Sequence, residues 1–163
     1  MRKSFWLSGL VFCFSFVLSQ HSLLAQNMES EYKTSAGFKV FFGDGTSGGL
    51  NLKHFLNETS ALEGSLVFFE GPVIGLDFLY LYHGDVTGAK GLKWYMGGGG
   101  LVSVVTESGY EDNVGFALRP VVGLDYKFTG APLNIALDAN PIFHIVPSTD
   151  ITFAIGLAFR FAF

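Results

Sequence analysis

Residues 151–163 alternate without interruption. Ile151, Phe153, Ile155, Leu157, Phe159, Phe161 and Phe163 are large and apolar, while Thr152, Ala154, Gly156, Ala158, Arg160 and Ala162 are small or polar. Side chains of a strand point to opposite faces every two residues, so this run predicts a strand and excludes an amphipathic helix. The same period predicts seven more strands: Ala36–Phe42, Leu50–Leu56, Ala61–Phe69, Val73–Tyr82, Leu92–Val105, Val114–Phe128 and Leu133–Ile145. Turn-forming residues separate them: Gly43-Asp44-Gly45, Asn57 to Ser60, Gly71-Pro72, Gly84 to Gly91, Glu107 to Asp112, Thr129 to Pro132 and Pro147 to Asp150.

Charges share a face with the small residues. When each strand's parity is set by its bulky apolar positions, Lys39, Lys53, Glu63, Asp77, Lys93, Arg119, Asp125, Lys127, Asp138 and Arg160 all fall on the other face. A soluble sandwich would show the reverse, with large apolar residues inside and charges outside. A continuous Phe/Leu/Ile face instead suits lipid, where an outward Lys or Arg at mid-depth costs about 2–4 kcal/mol. The predicted fold is all-β: an eight-stranded antiparallel up-and-down transmembrane β-barrel with a side-chain-filled lumen and no open channel. Inward charges must pair, and Asp138 with Arg160 on neighbouring strands is the first expected pair. Trp94, Tyr95, Tyr80, Tyr82 and Tyr126 lie near strand ends, where an aromatic girdle is expected.

Composition agrees with a membrane protein lacking spanning helices. Of the 163 residues, 49% are hydrophobic and 15% charged, against roughly 25% charged in an ordinary soluble domain. Disorder is excluded, and a net charge of −4 argues against a nucleic-acid partner. No apolar run near the N-terminus reaches the roughly 20 residues a spanning helix needs. Residues 1–25 read as a secretory signal peptide: Arg2 and Lys3, the apolar stretch Phe5 to Leu18, and Ala25 before the cut. Residues 26–33 form a short periplasmic segment and 34–163 the barrel. Cys13, the only cysteine, leaves with the signal, so no disulfide is expected. The mature chain then carries eight Lys or Arg against fourteen Asp or Glu.

The C-terminal Phe159-Arg160-Phe161-Ala162-Phe163 resembles the assembly signal of Gram-negative outer-membrane proteins, with Phe159, Phe161 and Phe163 at alternate positions. The segments Leu52-Lys53-His54-Phe55-Leu56, Ala61-Leu62-Glu63-Gly64, Gly91-Leu92-Lys93-Trp94-Tyr95 and Val122-Gly123-Leu124-Asp125-Tyr126-Lys127-Phe128 resemble small outer-membrane β-barrel proteins. The architecture is similar to the OmpX and OmpA transmembrane-domain type. The resemblance implies residence in the bacterial outer membrane and insertion by the barrel-assembly machinery with periplasmic chaperones. Outer-membrane lipid and lipopolysaccharide are then the expected surroundings of a monomer. No peptidoglycan-binding domain is expected after the barrel.

Catalytic and ligand chemistry is sparse. With both termini in the periplasm, the outward loops carry Asp44, Glu70, Glu107, Glu111, Asp112 and Asp150 and no Lys or Arg, a rim whose carboxylates suit Ca²⁺ or Mg²⁺. His144, Ser148 and Asp150 suggest a lipid A acyl hydrolase. Such barrels carry the serine two residues after the histidine, however, and Val146 stands there. His54, His83 and His144 lack metal-ligand spacing. Gly97 to Gly100 sits inside a strand pattern with no Lys-Ser/Thr behind it, which favours close packing over phosphate binding. The expectation is a non-enzymatic structural or envelope-interaction protein without a cofactor. Binding or passage of a small hydrophobic ligand among inward Phe41, Phe55 and Phe69 is the alternative.

Overall fold

The computed structural model describes residues 32–107 and 114–163. The signal segment 1–25 lies outside these residues. Eight strands follow one another: β1 (Thr34–Phe42), β2 (Thr46–Phe55), β3 (Ser60–Phe68), β4 (Val73–Asp85), β5 (Leu92–Val105), β6 (Val114–Lys127), β7 (Leu133–Val146) and β8 (Asp150–Ala162). Each pairs antiparallel with its sequence neighbours, and β8 pairs with β1 to close the barrel. Closure leaves no sheet edge unpaired. At nine to fourteen residues, every strand can cross the hydrocarbon core, which takes roughly 9–11 tilted residues.

β2 begins four residues before the predicted Leu50. Thr46 pairs with Phe42 across the tight Gly43-Asp44-Gly45 connection, where the Gly43 N–H donates to the Gly45 carbonyl at 3.0 Å. The pattern missed this stretch because Gly48 and Gly49 carry no side chain to report a face. Gly49 is required by close approach, since a Cβ there would lie 1.8 Å from the Leu66 carbonyl oxygen. β4 likewise runs past Tyr82 to Asp85.

The two ends of the barrel differ. At the terminal end the start of β1 meets Phe163 after β8, tied by the Thr34 N–H to the Phe163 carbonyl (2.9 Å) and the Phe163 N–H to the Thr34 carbonyl (2.8 Å). The loop end carries the β1–β2, β3–β4, β5–β6 and β7–β8 connections.

Apolar side chains cover the outside. Phe38, Leu76 and Ile151 are each more than 60% exposed, as are many similar residues to a lesser degree. A continuous apolar surface of this kind is a membrane-facing one. Tyr80, Tyr82, Trp94 and Tyr126 lie on it near the terminal end, with Tyr82 and Trp94 in ring contact at 6.0 Å. Tyr95 does not join this girdle: it is fully buried in the lumen, as its odd position beside Lys93 requires.

Two apolar clusters pack the lumen. One, toward the terminal end, contains Phe55, Ala61, Leu79, Leu81, Tyr95, Val121, Ala136 and Ala158, with Tyr32 against it. The other, toward the loop end, contains Phe41, Val67 and Ala154, with Phe69 and Ile142 against it. Phe41, Phe55 and Phe69 therefore do not form one group, because Phe55 lies at the far end of its strand from the β1–β2 turn.

Candidate functional site: the lumen network and the loop-end vestibule

The lumen is crossed by a chain of alternating charges. Lys53 pairs with Asp125, and Asp125 stands 3.9 Å from the Arg160 guanidinium. Arg160 binds Glu63 at 2.8 Å, Glu63 binds Lys39 at 2.7 Å, and Lys39 binds Asp138 at 2.7 Å. Asn140 then links Asp138 to Arg119, accepting from the guanidinium at 2.9 Å, and Arg119 pairs with Asp77 at 2.7 Å. Lys39, Lys53, Arg119 and Arg160 are matched by Glu63, Asp77, Asp125 and Asp138, so the path is electroneutral. All eight side chains are at most 3% exposed.

Neutral polar groups complete it. Asn51 donates to Glu63 at 3.1 Å and accepts from the Arg160 Nε–H, while Asn134 accepts from Arg160 at 3.0 Å and donates to Asp125. The Tyr95 hydroxyl donates to Asp138 at 2.5 Å. Buried ions repay their desolvation only when paired and hydrogen-bonded on every side, which this network largely achieves.

Tyr32 caps the network at the terminal end, on the wall of a cavity of about 310 Å³ that also touches Phe55 and Lys93. It lies just before β1, donates its hydroxyl proton to Asp125 at 3.0 Å and packs edge-on against Phe55. Burial, and then the neighbouring Asp125 carboxylate, push its hydroxyl well above the ordinary tyrosine range.

Three expectations about the charges are corrected. Asp138 and Arg160 are not partners: in the β7–β8 ladder Arg160 faces Asn134 and Asp138 faces Gly156, so each reaches across the lumen instead. Lys93 is not part of the network. It sits at the terminal rim of β5 and pairs at 2.8 Å with Asp85, whose side chain is 82% exposed. Lys127 is also outside the network: it is buried, but its ammonium binds the turn carbonyls of Phe128 (2.8 Å) and Ala131 (2.7 Å) instead of a carboxylate.

Glycines make room for the network. A Cβ on Gly156 would meet the Asp138 carboxylate at 2.1 Å and the Lys39 chain at 2.9 Å. Gly97 and Gly99 admit the neighbouring backbone, with the Tyr80 and Phe78 carbonyl oxygens 2.0 and 1.8 Å from where a Cβ would stand. The glycine run is therefore a packing surface, as its place in a strand suggested.

The β6–β7 ladder is interrupted. It pairs Leu118 with Phe143 and resumes at Val122 with Ala139; Pro120 and Pro141, which lack an N–H, lie between. The Arg119–Asn140 hydrogen bond bridges this gap from the lumen side. A register shift follows between Phe116 and Ala117.

Above the network the loop end is hollow. A cavity of about 310 Å³ is lined by Phe41, Phe69, Leu101, Ile142, His144 and Ala154, with Asp44 and Glu70 at its mouth. A second, of about 270 Å³, shares Phe69, Leu101 and His144 with it. The second also reaches Phe116 and Val146, outward-facing residues at the register shift.

The remaining sequence candidates are scattered. Glu70 accepts from the Thr46 N–H at 3.3 Å and Asp150 from the Ile151 N–H at 2.8 Å. Glu111 and Asp112 lie outside the described residues, and Glu107 is exposed. Among the described residues no three His, Cys, Asp or Glu side chains are grouped to hold a metal ion. His144 bonds Thr152 at 3.0 Å rather than Ser148 or Asp150. His54 bonds Thr34 at 2.8 Å, and His83 lies between the rings of Phe55 and Tyr95. Asn57 accepts from the Thr59 and Ser60 N–H groups, fixing the β2–β3 turn.

No protein-family model matches this chain, and no curated protein matches it. Solved structures do. The N-terminal β-barrel domain of OprF from Pseudomonas aeruginosa is 18% identical with a TM-score of 0.58, covering 80% of this chain and 98% of that one. Neisserial surface protein A (NspA) is 12% identical with a TM-score of 0.55, covering 80% of this chain and 95% of that one. These neighbours are eight-stranded barrels of outer-membrane type, and the present chain has that fold.

Proposed function

We propose that this chain is a non-enzymatic integral protein of the bacterial outer membrane with a structural or envelope-interaction role, closed to ion flow. The observation that carries this reading is the electroneutral chain from Lys53 to Asp77, which fills the lumen from wall to wall. An open pore would need a continuous wet path, whereas these side chains are bonded to one another and shielded from solvent. The termini and Tyr32 face the periplasm, the acidic connections face outward, and lipid with lipopolysaccharide surrounds a monomer inserted by the barrel-assembly machinery. The test is planar-bilayer recording of the refolded mature chain. The reading requires a flat baseline; steady, reproducible conductance steps would overturn it.

A second reading is favoured by the loop-end vestibule: the barrel holds a small hydrophobic ligand there. Its larger cavity, about 310 Å³, meets the lower end of the size range usual for small-molecule sites, about 300–1,000 Å³, and the walls of both cavities are mainly apolar. Passage through the barrel is disfavoured by the charge network beneath. The arrangement of His144 gives no support to a lipid A acyl hydrolase, since its ring bonds Thr152.

A further inference from the structure

Three features of the vestibule narrow what it can hold. Its floor is closed: Phe41, Val67 and Leu101 are buried there, and the Arg119 guanidinium packs 4.6 Å from the Phe41 ring centroid just below. A molecule that enters must therefore stay and leave by the same end. The wall of its smaller cavity runs to Phe116 and Val146, two exposed apolar residues that pair in the β6–β7 ladder beside the register shift. Its mouth is acidic: Asp44 and Glu70 line it, and the connections at this end of the barrel contain no Lys or Arg.

An apolar chamber whose wall runs to membrane-facing residues suits an alkyl chain, and a water-facing rim suits a polar head group. The rim sets the sign of that head. Carboxylates with no basic side chain in the adjoining connections attract a cation and repel phosphate or sulfate. We infer that the vestibule is a binding site for a single-chain amphiphile with a cationic head group. The chain lies among Phe41, Phe69, Leu101 and Ile142, and the head lies at Asp44 and Glu70. This rests on the second reading above, that the chamber holds a hydrophobic ligand, and adds the head-group charge and the absence of passage.

The mature barrel in lipid nanodiscs is titrated with dodecyltrimethylammonium, dodecyl maltoside and dodecyl sulfate while the amide resonances of Phe41, Leu101, Ile142 and His144 are followed. Saturable shifts are expected, tightest with the cationic probe and weakest with the sulfate. Removing the two rim charges in Asp44→Asn/Glu70→Gln, which keeps side-chain size and the Glu70 acceptor, should weaken the cationic probe about threefold to tenfold. Dodecyl maltoside binding should be unchanged in that variant. Filling the chamber with Ala154→Leu should weaken all three probes. Equal affinities for the three probes, or an unchanged cationic affinity in the rim variant, would overturn the head-group inference and leave hydrophobic binding standing. No saturable shift with any probe would overturn both.

Discussion

Gly156 faces Asp138 directly across the β7–β8 ladder, and the absence of a side chain on the glycine is what lets the Lys39–Asp138 ion pair lie flat against the wall. Adding one methyl group in Gly156→Ala pushes into a carboxylate that is already committed to Lys39, Tyr95 and Asn140. The expected cost is about 1–3 kcal/mol, the usual penalty for overfilling a packed interior. Gly64→Ala is the control, because the nearest atom to a Cβ there is the Asp77 carbonyl oxygen at 3.9 Å. Urea midpoints of the two variants refolded into vesicles should differ clearly, with Gly64→Ala at or above the parent. Equal midpoints would refute the crowding argument.

Lys39 joins two acids, Glu63 and Asp138, each at 2.7 Å. Lys39→Met keeps the length of the chain and leaves both carboxylates short of a cation in a closed lumen. Breaking a buried pair in this way costs about 3–5 kcal/mol. The double variant Lys39→Met/Asp138→Asn should recover part of that loss, since one of the stranded charges is gone. Vesicle unfolding curves for the set measure the coupling, and additive losses would mean that the two residues do not interact.

Tyr32 gives the barrel a pH dependence at the alkaline end. Its hydroxyl is held protonated well above the ordinary value, by burial first and by Asp125 second. A raised folded pKa contributes stability that is complete below the unfolded value of about 10. It is lost as the pH rises above that value toward the folded one. Tyr32→Phe should lower the stability near pH 8 by about 1.5–3 kcal/mol, the worth of a hydrogen bond to a charged acceptor. The gap between parent and variant should then shrink between pH 9 and 11. A gap constant over that range would contradict the assignment.

Phe163 is tied to Thr34 by two backbone hydrogen bonds of 2.9 and 2.8 Å, which complete the β1–β8 closure at the terminal end. Its ring lies 6.3 Å from that of Phe161. Deleting Phe163 removes the last ring of the alternating Phe159, Phe161, Phe163 series and both closure bonds. Outer-membrane fractions of an expressing Gram-negative host should contain several-fold less folded barrel than the parent strain. Undiminished levels would remove the assembly-signal role.

Parity made the barrel legible because a two-residue period assigns every strand residue to a face, and lipid penalises a charge on the wrong one. Nine of the ten charges so assigned are buried in the lumen. Lys93 escapes because it lies at the terminal rim beside Asp85, where parity no longer decides exposure. Partners were beyond the pattern. Arg160 and Asp138 belong to adjacent strands, but ladder register places Asn134 and Gly156 opposite them, and their true partners Glu63 and Lys39 come from across the barrel. Leu79 and Leu81 were also hidden, since bulky apolar residues were read as lipid-facing and these two fill the lumen. The register shift at Phe116, which borders the smaller loop-end cavity, is not announced by the spacing of residues.

The central claim is that the chain closes into a stable membrane-spanning β-barrel with a packed lumen, and its most direct test is electrophoretic mobility. The mature chain, refolded into lipid vesicles, is run on a denaturing gel with and without boiling. A closed barrel bound together by an eight-charge network should resist the detergent, so the unboiled sample should migrate faster than the boiled one. Identical migration of the two samples under all refolding conditions would contradict the account.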